Sequence, residues 1–132
     1  MDVNFTIDDT GGSFITLVFE DVVFKIPRRK KGVPVILEEM AEKINKVAAV
    51  CEEVMPARVG DKCLIMDRAK GIRVDRLEDQ AHINDARMQT KRVERRCEKA
   101  GMVPKDLRGV NVFYDPETEK ISIVDVMNFK VP

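Results

Sequence analysis

The feature that most constrains this chain is a hydrophobic period that alternates between that of strands and that of helices, switching four times along its length. Residues 14–26 are rich in Phe, Val and Ile and are interrupted at Glu20 and Asp21, the pattern of a β-hairpin. Gly11 and Gly12 make the turn before it. Pro27 and the Arg/Lys/Gly stretch through Gly32 end its second strand, because proline cannot donate to a ladder. From Pro34 onward, Leu37, Met40, Ala41, Ile44, Val47, Ala48, Cys51 and Met55 recur at three- and four-residue steps. That spacing predicts a helix with Pro34 in its first turn and Pro56 closing it. Residues 63–66 and 71–74 are short apolar runs that read as brief strands. Asp75, with Glu78 three residues on, has the form of a capping box and predicts a second helix running to about Ala100, with Gly101 as its terminator. This helix carries Ala81, Ile83, Ala86, Val93 and Cys97 among many charges, so one side of it must face water. The period then returns to that of strands, with residues 110–114 and 121–126 flanking the turn sequence Asp115-Pro116-Glu117-Thr118.

The 132 residues are enough for one ordinary domain with one core and two small lobes. Basic and acidic residues balance at 23 each, so no overall field draws the chain to nucleic acid or an anionic membrane. The basic cluster Arg28, Arg29, Lys30 and Lys31 and the Arg/Lys-rich residues 87–99 are the surface a nucleic acid would use. A single tyrosine and no tryptophan leave few stacking platforms there, which disfavours that partner. Cys51, Cys63 and Cys97 are odd in number and have no C-x-x-C spacing, so neither a disulfide framework nor a zinc site is expected, and a reducing cytoplasm fits. No apolar stretch approaches the ~20 residues needed to span a bilayer, so no membrane partner is expected.

Three polar residues are placed oddly for a purely structural hairpin. Asp106 and Asn111 precede and enter its first strand, and Asp125 lies at the end of its second. A hairpin folds its outer ends together, so Asn111 and Asp125 should lie close, with Asp106 on the loop feeding them. Such an oxygen-rich corner suits Mg²⁺.

These residues resemble the protein-kinase superfamily. Asp106-Leu107-Arg108-Gly109-Val110-Asn111 has the D-x-x-x-x-N spacing of that family's catalytic loop, and residues 121–125 resemble the strand leading to its metal-binding Asp. Val22-Val23-Phe24-Lys25 resembles the V-A-I-K strand, and the helix that follows takes the place of the family's αC. Residues 64–71 resemble the hinge. The resemblance implies that Lys25 grips the α- and β-phosphates of ATP and that Asp106 orients the substrate hydroxyl. Asn111 and Asp125 would hold Mg²⁺, Met66 would act as gatekeeper, and Asp67 to Ala69 would offer backbone bonds to adenine. Glu38, Glu39 and Glu42 are all placed to pair with Lys25, and Glu42 is the expected partner.

The chain also departs from the family pattern. Pro104-Lys105 replaces His-Arg before Asp106, and the only histidine, His82, lies in the second helix as a surface residue. Asp125-Val126-Met127 replaces Asp-Phe-Gly, and Gly11-Gly12-Ser13-Phe14 is a remnant of the phosphate-covering loop. The chain stops at Pro132, so an activation segment and the later helices are expected to be missing, as in small kinases of bacterial effectors and phages. The expected fold is α+β and protein-kinase-like, a single domain over 1–132. It has a small antiparallel β N-lobe with an αC-like helix (about 1–66), a hinge (67–70), and a truncated C-lobe of one long helix and a β-hairpin (71–132). The expected function is ATP- and Mg²⁺-dependent phosphoryl transfer to a Ser or Thr hydroxyl of a protein, in the cytoplasm or in that of a host cell. The rival expectation is a pseudokinase-like module that binds another protein, or dimerises, through its charge-rich second helix.

Overall fold

A computed structural model describes residues 5–8, 14–105 and 107–132. Among these, the elements run β1 (Thr6–Asp8), β2 (Phe14–Val18), β3 (Val22–Pro27), α1 (Leu37–Val50), β4 (Arg58–Val59), β5 (Leu64–Asp67), β6 (Ile72–Arg73), a 3₁₀ turn (Val74–Arg76), α2 (Gln80–Lys99), β7 (Val112–Asp115) and β8 (Lys120–Ile123). The fold is thus α+β. The chain divides into two compact units, Met1–Glu42 with Pro56–Arg68 and Lys43–Met55 with Ala69–Pro132.

The first unit is built on an antiparallel sheet of order β1-β2-β3-β5-β4. Its central hairpin turns at Glu20 and Asp21, where the Phe19 N–H donates to the Val22 carbonyl at 2.9 Å. The register pairs Thr16 with Lys25, Lys25 with Leu64, and Val23 with Met66. Because strand side chains alternate, Phe14, Lys25, Leu64 and Met66 share one face, and all four are buried. Ile15, Leu17, Phe24 and Ile65 line the opposite face and are half-buried. At three and two residues, β1 and β4 are too short for alternation to announce them in the sequence.

Helix α1 is shorter at both ends than its apolar spacing predicts. Pro34 lies before the helix, in irregular chain that follows a turn closed by the Val33 N–H on the Lys30 carbonyl at 3.1 Å. After Cys51 the chain leaves the helix because strand-type pairing takes it. The Ile123 N–H donates to the Glu53 carbonyl at 2.8 Å and the Met55 N–H to the Ile123 carbonyl at 3.0 Å, a parallel bridge that removes Met55 from the helical stripe.

The second unit holds the antiparallel sheet β6-β7-β8, with α2 packed on β8. Val47, Cys51, Val93, Cys97, Tyr114, Ile123 and Phe129 are all at most 1% exposed and form its core. The N-cap of α2 is Asp79, not Asp75. Its carboxylate accepts from the Ala81 N–H at 2.8 Å. Asp75 is engaged elsewhere, taking two bonds from the Arg73 guanidinium at 2.8 and 2.7 Å within the 3₁₀ turn. Gly101 follows the helix end in the left-handed region at φ 80°, as a terminating glycine should. The β7–β8 turn lies where the sequence places it, with the Asp115 carboxylate accepting from the Glu117 N–H at 3.0 Å. His82 is a half-buried residue whose ring lies 5.2 Å from that of Tyr114, so it is less exposed than its charged helix suggests.

Candidate active site

The hairpin β7–β8 brings Asn111 and Asp125 to one corner of the second unit. Asn111 immediately precedes β7; its N–H donates to the Arg108 carbonyl at 2.9 Å, and its carbonyl accepts from the Val124 N–H at 3.0 Å. Asp125 follows directly, two residues beyond the end of β8. Its Oδ1 accepts from the Met127 N–H at 2.9 Å, an Asx-type turn that fixes the carboxylate. Among the described residues, the other carboxylate oxygen carries no hydrogen bond or ion pair. Val126 and Phe129 are at most 1% exposed, so burial on either side holds this segment in place.

Sequence reasoning missed Lys43 of α1. Its Nζ donates to the Met127 carbonyl at 2.6 Å in a partly buried setting. Burial pushes its pKa below the ordinary lysine value, and the Asp125 carboxylate pushes back the other way. Lys43 stands next to Ile44 beside the apolar stripe of α1, but its partner lies 84 residues away, so no local pattern could announce the contact.

The other expected site residues fall as follows. Lys25 lies in β3 of the first unit, 5% exposed, with its ammonium 5.3 Å from the centre of the Phe14 ring. Glu42 is an exposed residue of α1 in the same unit, and Lys25 and Glu42 each have interaction partners. Met66 in β5 is 2% exposed and packs in the core, while Asp67 at the end of β5 is exposed. Ala69 is half-buried and opens the second unit's later segment. The chain leaving β5 is tied down at Arg68, whose N–H donates to the Asp21 carbonyl at 3.0 Å and whose Nη1 donates to the Phe19 carbonyl at 3.1 Å. Asp106, Gly11, Gly12 and Ser13 lie outside the described residues.

Among the described residues, no cluster of three or more His, Cys, Asp or Glu could hold a metal ion. Mg²⁺ does not require one, since it is commonly held by one or two carboxylates with substrate phosphates and water completing the shell. An amide oxygen and a carboxylate with one unengaged oxygen, both hard donors, fit that ion. A groove of about 500 Å³ also runs along the second unit, with Leu77, Ile83, Leu107 and Val112 apolar and Arg87 and Lys91 basic in its lining.

No family model matches the chain, and no curated protein matches it either. Solved structures do. WbdD superposes with a TM-score of 0.63 at 17% identity, covering 98% of this chain and 33% of WbdD. The kinase PK-1 of Cydia pomonella granulovirus superposes at 0.61 and 15% identity, over 98% of this chain and 52% of that one. WbdD crystallised with the kinase inhibitor LY294002 superposes at 0.56 and 17% identity, over 91% of this chain and 32% of that one. The chain therefore spans about a third to a half of the structures it matches. Matched across nearly its whole length despite low identity, the chain has a protein-kinase-like fold.

Proposed function

We propose that this chain is an ATP- and Mg²⁺-dependent phosphotransferase that moves the γ-phosphoryl group to a Ser or Thr hydroxyl of a protein. The observation that supports this most directly is the Asn111–Asp125 corner, with its unengaged carboxylate oxygen, within a protein-kinase-like fold. In this reading 1–66 is the N-lobe, 67–70 the hinge and 71–132 the C-lobe. Lys25 supplies an ammonium for the α- and β-phosphates, with Glu42 as its orienting partner. Met66, Asp67 and Ala69 bound the adenine. Asp106 orients the acceptor hydroxyl, and Asn111 and Asp125 supply oxygens to Mg²⁺. When bound, the ion supplies charge neutralisation for the triphosphate. Phosphoryl transfer depends mainly on positioning and charge, so a small scaffold can support it. The free cysteines fit a reducing compartment such as the cytoplasm.

The test is incubation of purified protein with labelled ATP, Mg²⁺ and a protein acceptor, comparing the wild type with Asp106→Ala and Asp125→Ala. Label transfer by the wild type alone is expected. Equal transfer by all three rejects the assigned residues.

A second reading, the pseudokinase-like module, is favoured by the outer face of α2, where Met88 is 52% exposed among exposed Arg87, Lys91, Arg92 and Arg95. That face would engage an acidic protein or a second copy of the chain. Thermal unfolding with Mg·ATP separates the two readings. Ligand at ~100 times its dissociation constant stabilises by about 2.7 kcal/mol, while a module that ignores nucleotide shows no shift.

A further inference from the structure

The segment after β8 is gripped from two sides through the backbone of a single residue. Asp125 Oδ1 accepts the Met127 N–H at 2.9 Å, and Lys43 Nζ donates to the Met127 carbonyl at 2.6 Å. The backbone of one residue therefore links the carboxylate assigned to the metal to an ammonium carried by α1. The ammonium bonds the carbonyl, and among the described residues it forms no ion pair with Asp125. The carboxylate thus keeps one oxygen for a cation, in an orientation that depends on where Met127 is held.

We infer that Lys43 is a positioning residue of the phosphoryl-transfer site: it fixes Met127, and through Met127 it aims the Asp125 carboxylate, so that α1 and the metal corner are set together. This rests on the phosphotransferase reading above. Lys43 acts through a neighbour and touches neither nucleotide nor metal in this role. Its contribution has a sign that separates it from a plain charge effect. An ammonium acting only as a nearby positive charge opposes Mg²⁺, so its removal would tighten the ion. An ammonium acting as a clamp aids Mg²⁺, so its removal loosens the ion.

The experiment uses the whole chain with a non-hydrolysable ATP analogue, titrated with Mg²⁺ by calorimetry in the wild type, Lys43→Met, Lys43→Arg and Asp125→Asn. Lys43→Met is expected to weaken Mg²⁺ binding by about 10- to 100-fold, the range typical of residues that orient a metal ligand. Analogue affinity without Mg²⁺ should stay unchanged, and Lys43→Arg should recover most of the loss. In metal-free protein, hydrogen exchange at the Met127 amide should quicken in Lys43→Met, a readout independent of activity. Unchanged or tighter Mg²⁺ binding in Lys43→Met, or unchanged exchange at Met127, overturns the inference and leaves the phosphotransferase reading standing. A wild type that takes up no Mg²⁺ with the analogue overturns that reading and this role with it. If Lys43→Met does not fold, Lys43→Gln replaces it in the same titration, and the same outcomes decide.

Discussion

Tyr114 is 1% exposed, and its phenol donates to Asp85 Oδ2 at 2.7 Å, a charge-assisted bond anchoring β7 to α2. Burial first, and then the Asp85 carboxylate, push its pKa up to about 12. A phenol whose folded pKa is raised stabilises the fold fully below its unfolded pKa of ~10 and loses that contribution as pH rises through the folded value. Stability to urea should therefore fall between about pH 10 and pH 12, and Tyr114→Phe should flatten that fall. At pH 7 Tyr114→Phe should lower stability by about 1–2 kcal/mol, measured by urea unfolding. Glu53 shows the opposite sign. Its two bonds from Arg96, at 2.8 and 2.6 Å, hold its pKa below the usual carboxylate range. Their contribution is present above that range and is lost as pH falls through the lowered value. Arg96→Met should reduce the acid sensitivity of the urea midpoint. None of these pairs was legible in the sequence, since each joins residues of separate elements, and the same is true of Lys43 with Met127. Asn111 and Asp125 were legible because a hairpin of known turn brings its own ends together.

At the scale of elements, the chain entering β6 passes close against β7. Gly71, at φ 98°, lies so close to Tyr114 that a Cβ there would sit 2.1 Å from the Tyr114 carbonyl oxygen. Both the backbone conformation and the space exclude a side chain. Gly71→Ala should destabilise by more than about 1 kcal/mol, because the clashing atom is backbone and cannot swing away. At the start of α2, Asp79→Ala should cost about 1 kcal/mol, whereas Glu78→Ala should cost little, because the expected capping box does not form. Both are readable by thermal or urea unfolding. The two helices and the two hairpins were visible from apolar period alone, but their ends were not. The end of α1 is set by the pairing of residues 53–55 with β8, a competition decided by chain 70 residues distant that no local window contains. The start of α2 was misread because Arg73, two residues before Asp75, claims that carboxylate first.

Over the whole molecule, the order of elements was legible: strands, helix, short strands, long helix and hairpin follow one another as their periods predict, and the chain superposes on solved structures at 15–17% identity over 98% of its length. The thiols give a test at this scale. Cys51, Cys63 and Cys97 are all buried and free, and burial raises the pKa of each, to about 12 for Cys97. A thiol-specific reagent should react slowly with the native chain and titrate three groups once denaturant is added. Fast reaction of the native protein contradicts the packing of both units. The hold on Met127 also bears on how such a chain can change over generations. Both grips on that residue take main-chain atoms, so its thioether side chain is unread by them. Position 127 should accept many side chains and refuse proline, which has no N–H to give, while Lys43 and Asp125 tolerate little. A loop signature can then drift at that position while the geometry it served is inherited intact.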